Sequence, residues 1–302
     1  MRYLDPKNDL TFKKIFGQHP NLLKSFLNAL LPLEENQEIE SLKYLSPELV
    51  PEIPLLKNTI VDVICIDNKG RQFIVEMQML WTDSFKSRVL FNASKAYVKQ
   101  LERGKEYKSL QPVYALSLVN DIFEPEMHDF YHHYKIVNIE NTEKQLKGLE
   151  FVFVELPKFK AQNIEHKRLQ VLWLKFLTEV NDGSPIIPAE LLENKEINEA
   201  LNCLQESAYT KEELEAYDRY WDTIQSERSL IFDAEVKGMT EGKIEGLIEG
   251  EVKGMIKGKI EGKLEGEHEN SLKIAKLMKS SGEPIEKIIL FTGLSKKEIE
   301  NL

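Results

Sequence analysis

Cysteine is scarce in this chain: only Cys65 and Cys203 occur in 302 residues. Both sit in apolar segments, one of strand and one of helical character, so a disulfide framework is not expected and a reducing cytoplasm is. No run of about 18 apolar residues is present, which excludes a membrane-crossing helix. The opening, Met1 to Asp9, is polar and charged and does not read as a secretory leader. Positive charge is in deficit too, with 40 Lys and Arg against 50 Asp and Glu and a net charge of −10. A protein that coats nucleic acid by charge alone is therefore not expected. The deficit is uneven, because residues 1–110 carry 16 basic and 14 acidic side chains and the remainder 24 and 36. Any DNA-facing surface belongs to the first part, where Lys86, Arg88, Lys95, Lys99, Arg103, Lys105 and Lys108 gather, although a solvated helix face would look the same.

What is present reads as an ordinary globular protein, 42% hydrophobic and long enough for one large core or two smaller ones. Asn8-Asp9 offers an N-cap to a first helix whose stripe is Phe12, Ile15 and Phe16, with Gly17 as its stop. Pro20 opens a second, strongly apolar helix through Leu31, ended by Pro32. Residues 59–66 and 72–79 then have the β-branched and large apolar character of strands, separated by Asn68-Lys69-Gly70. Thr82 or Asp83 caps a helix running to about Arg103, with Gly104 at its end. Residues 112–119 read as a buried central strand and 149–156 as a further strand. From about 161 the periodicity is helical, first through Leu169, Leu172, Trp173, Phe176 and Leu177. A second stretch, Leu214 to Phe232, is rich in Tyr and Trp that are expected to pack on the preceding domain.

Glycine recurs at every fourth position from Gly238 to Gly266, each two places after an apolar residue or Thr. Eight glycines disfavour an isolated helix by roughly 1 kcal/mol apiece relative to alanine. Residues 236–267 are thus expected to form a linker or a low-grade coiled coil, able to assemble copies of the chain. Beyond it, a helix through Met278 stops at Gly282 and Pro284 starts another. Thr292-Gly293-Leu294 turns the chain, and Ser295 to Glu298 forms a capping box for a last short helix. That module, 268–302, resembles a helix-turn-helix core but is too short in its final helix to favour a DNA reader over a docking module.

The chemistry concentrates in the hairpin. A three-residue loop with Gly70 left-handed pairs Asp67 with Arg71. The register so fixed sets Asp62 opposite Glu76, with Gln78 on the same face. Like charges across a ladder need a cation or a shared proton, and a hard divalent ion fits two carboxylates. A solvent-facing hairpin side carrying two acids by chance fits the same pattern. His128, His132 and His133 lack metal-site partners at ligand spacing and are read as a surface loop.

Asp62, then Glu76-Met77-Gln78, then a helix, resembles the PD-(D/E)XK nuclease core. The segments Asn8 to Gly17, Val61-Asp62-Val63, Val75 to Gln78 and Arg88 through Tyr107 are similar to the Rpn family of recombination-promoting nucleases and transposases. The glycine-rich tail and terminal Thr-Gly-Leu-Ser turn share that likeness, which covers essentially the whole chain. It implies an α/β fold with a restriction-endonuclease-like core, a mixed central sheet flanked by helices, over 1–160. An all-α region over 161–235 and a helical or flexible glycine-repeat tail would follow. The resemblance further implies a Mg²⁺- or Mn²⁺-dependent endonuclease acting on double-stranded DNA. Asp62, Glu76 and the Met77 carbonyl would be metal ligands and Asp9 a third acid or merely an N-cap.

Gln78 occupies the place where the broad superfamily pattern has Lys. Glutamine can orient an attacking water but cannot offset negative charge. Arg88 is the candidate for that charge and Lys57 a weaker one. The competing expectation is a catalytically inactive DNA-binding or scaffold protein on the same fold, oligomerising through its tail.

Overall fold

The computed structural model describes residues 2–49, 59–101, 106–161, 168–184 and 186–302. The expectations placed on Lys57, Arg103, Gly104 and Lys105 lie outside these residues. By contacts the chain divides into two units, Met1–Arg228 and Ser229–Leu302.

In the first unit, Asn8 caps α1 (Asp9–Gln18) by accepting from the Leu10 amide. Asp9 is therefore the first helical residue and its carboxylate is released from capping. Gly17 lies inside the last turn and the C-cap is His19, not Gly17 as expected; a helical glycine needs no left-handed conformation. Pro20 opens α2 (Pro20–Leu30), where Leu22, Leu23, Phe26, Leu27 and Leu30 are buried. After it come β1 (Leu42–Tyr44) and a two-stranded pair, β2 (Glu48–Leu49) and β3 (Thr59–Ile60).

The hairpin follows as β4 (Val63–Asp67) and β5 (Gln72–Gln78). Its pairs, Val63 with Val75 through Ile66 with Gln72, are those of the register read from the sequence. Gly70 takes φ +81°. Asp67 locks the turn: Oδ1 accepts from the Lys69 and Arg71 amides at 2.9 and 2.8 Å. Its Oδ2 meets the Arg71 guanidinium at 2.7 Å, with both side chains buried. Next are α3 (Ser84–Lys99), β6 (Val113–Val119), β7 (Tyr131–Val137) and β8 (Gln145–Glu155). Asp83 occupies the N-cap position of α3 but makes no side-chain capping bond, and the helix stops at Lys99, short of the expected Arg103.

The sheet runs β1-β4-β5-β6-β8-β7. β5, β6 and β8 are parallel, and β1, β4 and β7 add antiparallel edges. This is a mixed sheet with α3 as the crossover from β5 to β6. Strand alternation divides the core. Phe73, Val75 and Met77 face α1, α2, α4 (Arg168–Glu179), α5 (Ala189–Glu193) and α6 (Lys195–Cys203), where Trp173 is fully buried. Ile74, Ala115 and Phe153 face α3 through Phe85, Val89, Ala93 and Ala96. The hairpin is thus apolar on both faces. Tyr217 and Trp221, early in α7 (Lys211–Ser280), pack with Leu4 and Tyr209.

β7 corrects the reading of 128–133 as a surface loop. His128 is exposed, but His132 and His133 lie on a strand paired with β8, and His132 is buried. Its Nε2 stands 3.2 Å from Glu155 Oε1, without hydrogen-bond alignment. The polar string His-His-Tyr-Lys masks the strand because only one end of β7 meets the core.

The second unit carries the rest of α7, including the glycine repeat, in helical form. Nothing lies within 4 Å of a Cβ built on any glycine from 238 to 266. Leu272, Ala275 and Met278 pack with α8 (Ile285–Thr292) and α9 (Lys296–Glu300) around Ile288, Leu294 and Ile299. The expected capping box of Ser295 and Glu298 is formed, and Gly282 and Gly293 take φ +78° and +69°.

Candidate metal-dependent active site

β5 ends in Glu76, Met77 and Gln78 beside β6, with Glu76 in register with the buried Ser117. Its even-numbered side chains face α3. There an i, i+4 pair on the helix meets an i, i+2 pair on the strand, two spacings of about 6 Å each. Asn92 Nδ2 donates to Glu76 Oε1 at 3.0 Å, and Arg88 Nη2 donates to Gln78 Oε1 at 2.5 Å. Glu76 is 6% exposed and Asn92 1%. The Asn92 Oδ1 atom is buried without a hydrogen-bond partner among the described residues.

Asp62 stands just outside β4, so it does not form the ladder pair with Glu76 that the register alone implied. The chain bends there, and the Val61 amide bonds to the Pro47 carbonyl at 3.1 Å. In its place the Asp62 carboxylate reaches back, Oδ2 accepting from the Met77 amide at 2.8 Å. The alternation of bonded pairs would join Met77 to Val61. With the Val61 amide spent on Pro47, the Met77 carbonyl does not receive that bond, and it faces the same edge as the amide that Asp62 holds.

Burial pushes both carboxyls up. For Asp62 desolvation outweighs the Met77 amide and the Lys13 ammonium. For Glu76 it outweighs the Asn92 hydrogen bond, and the charge of Asp62 adds to the rise while Arg88 opposes it. A buried carboxyl pushed up by the charge of a neighbouring carboxylate, as Glu76 is by Asp62, is one a cation would stabilise.

Asp9 and Asp62 are bridged by a residue the sequence analysis did not single out. Lys13 Nζ lies 2.6 Å from Asp9 Oδ1 and 3.5 Å from Asp62 Oδ1. Burial works against its charge, yet the Asp9 hydrogen bond and the Asp62 carboxylate hold the ammonium above its ordinary value. Tyr220 of α7 feels the same acids: burial first, then Asp9 and Asp62, push its hydroxyl up and keep it a donor. Asn92 was legible in principle, as the helical partner of Glu76 one turn beyond Arg88. Lys13 was legible only as the i+4 partner of Asp9.

Among the described residues no group of three or more His, Cys, Asp and Glu side chains is disposed to hold a metal ion. The donor set that does exist is all oxygen: two carboxylates, the orphaned Asn92 Oδ1 and the released Met77 carbonyl. It suits a hard divalent cation that keeps water in its shell. Gln78 is committed elsewhere, its Nε2 donating to the Leu80 carbonyl at 2.6 Å while Oε1 holds Arg88.

A family model described as PD-(D/E)XK nuclease family transposase matches residues 6–234. That span takes in Asp9, Lys13, Asp62, Glu76, Gln78, Arg88 and Asn92 and ends before the glycine repeat. No curated protein and no solved structure matches the chain.

Proposed function

The chain belongs to the PD-(D/E)XK nuclease family transposases, and from that premise we propose that it is a divalent-metal-dependent endonuclease hydrolysing double-stranded DNA in recombination or the movement of mobile elements. The observation that carries this reading is the nearness of half-buried Asp62 to buried Glu76, whose carboxyl the Asp62 charge helps push up, beside a backbone carbonyl released from its ladder. Asp62, Glu76 and the Met77 carbonyl would hold Mg²⁺ or Mn²⁺. Bound there, the ion would acidify a water and stabilise charge on a phosphoryl group. Asn92 orients Glu76 and offers Oδ1 to a water. Arg88, exposed at the rim and bonded to Gln78, would meet the DNA backbone, with Lys99 further along the exposed side of α3.

We propose the division 1–160, 161–235, 236–267 and 268–302 for the nuclease core, its helical extension, the repeat and the terminal module. The exposed Val236, Ile244, Ile248, Val252, Ile256, Ile260 and Leu264 support self-association through the repeat. Cys65 and Cys203 are free, which accords with a cytoplasmic setting, and no helix among the described residues is long and apolar enough to cross a membrane.

A second reading, a non-catalytic scaffold or DNA-binding protein, draws on Gln78, which brings no charge and has both ends of its amide engaged. Plasmid cleavage separates the two. The purified protein should nick or cut with Mg²⁺ or Mn²⁺, and Asp62→Ala and Glu76→Ala should reduce this to background, by about 100-fold or more. Equal cutting by all three proteins would assign the activity to a contaminant and leave the scaffold reading.

A further inference from the structure

We infer that Lys13, contributed by α1, is the catalytic cation of this site and takes the part that Gln78 cannot play; the inference rests on the nuclease reading. Three observations carry it. The first is place: Lys13 Nζ lies 2.6 Å from Asp9 Oδ1 and 3.5 Å from Asp62 Oδ1, touching one of the two core carboxylates. The second is the engagement of the alternatives, since Gln78 is tied to Leu80 and Arg88, and Arg88 is tied to Gln78. The third is a buried base with an exposed tip. Phe12, Ile15 and Phe16 sink α1 into the core, while the Lys13 side chain remains 41% exposed.

An ammonium is a compact charge with three donors on a flexible four-carbon stem. Asp9 and Asp62 engage two of those directions, and a third is available to a non-bridging oxygen of a phosphate entering beside Asp62. In hydrolysis a water oxygen bonds to phosphorus as one P–O ester bond breaks. The departing oxygen takes up a proton from water, and the proton lost by the attacking water passes to solvent. Lys13 stays an ammonium throughout and offsets charge that grows on the phosphoryl oxygens. Asp9 then acts through Lys13: it is a positioning residue that holds the ammonium at the site from one turn away on the same helix.

The test compares the full-length wild type with Lys13→Met, Lys13→Arg and Asp62→Ala, after melting curves show that each folds. Mn²⁺ affinity is measured by calorimetry without DNA, and single-turnover cleavage separately. Lys13→Met should cleave at least about 100-fold more slowly while binding Mn²⁺ no more weakly than wild type, because a competing cation has left Asp62. Lys13→Arg, which keeps the charge, should recover at least about a tenth of the lost rate. Asp62→Ala should lose Mn²⁺ binding itself. Cleavage by Lys13→Met within about 3-fold of wild type would overturn the inference, as would an arginine variant as slow as the methionine one. So would a fall in Mn²⁺ affinity that matches the fall in rate, since Lys13 would then only place the ligands. A wild type that binds Mn²⁺ but does not cut would count against the nuclease reading itself and against Lys13 with it.

Discussion

Glu76 is buried where a charge is costly, on the α3 face of the sheet beside buried Ser117 and bonded to Asn92. Desolvation raises its pKa above the ordinary carboxylate value, so the folded, metal-free state holds this proton more tightly than the unfolded chain. Stability is then fullest below the ordinary Glu value of about 4.3 and declines as pH rises through the raised one. Glu76→Gln removes the penalty. Without metal, thermal melts should show this variant more stable than wild type at neutral pH, with the gap closing as the solution is acidified toward that ordinary value. A gap that widens on acidification would mean the Asn92 bond, not burial, dominates. Glu76 and Gln78 were legible as one face of a strand because alternation is local, whereas Asp62 was carried by the family resemblance, the ladder pair that the register implied not being formed. Asn92 was legible only by its spacing from Arg88, since one helix face carries many polar residues and nothing local says which lies over a strand. Lys13 was hidden by sequence distance: it meets Asp62 only through the packing of α1 against β4.

At the scale of elements, the hairpin is the best-specified part of the fold. Asp67 satisfies two turn amides and the Arg71 guanidinium at once, and Arg71 Nη2 also donates to the Gln37 carbonyl at 2.7 Å. Asp67→Ala leaves a buried arginine without its counter-charge, and urea unfolding should show a loss of about 3–5 kcal/mol. A loss below about 1 kcal/mol would place the register in the apolar pattern alone. The sequence announced β4, β5, β6 and the last part of β8, whose residues are mostly β-branched or large and apolar. It did not announce β1, three residues long, or β7, whose side chains past His132 are exposed. Helix ends were the least legible: α3 begins without a side-chain cap, and a glycine inside a helix looks, in sequence, like one that ends it.

For the whole molecule, the repeat sets the open energetic question. As helix, residues 236–267 carry eight glycines with no neighbour within 4 Å of a built Cβ, and each weakens the helix by about 0.5–1 kcal/mol relative to alanine. Gly246, Gly250, Gly254 and Gly258 changed together to Ala should therefore raise far-UV helicity and the thermal midpoint of the tail in the full-length chain. No gain would mean that this segment is not held as helix in solution. Composition alone made an isolated helix here improbable, and the proposed self-association is what would supply the difference that propensity does not.

The bend at Asp62 makes the two carboxylates mechanically unlike. Glu76 is clamped within a strand whose pairing with β6 runs the length of β5, so shifting it means shearing the sheet. Asp62 sits beyond the last pair of β4 and is held through its side chain, by the Met77 amide and the Lys13 ammonium. The site therefore has a stiff jaw and a compliant one. If the proposed ion binds here, one of larger radius would be met by movement of the compliant side, with no broken ladder, so discrimination by size would fall to Asp62 while Glu76 kept the fixed point.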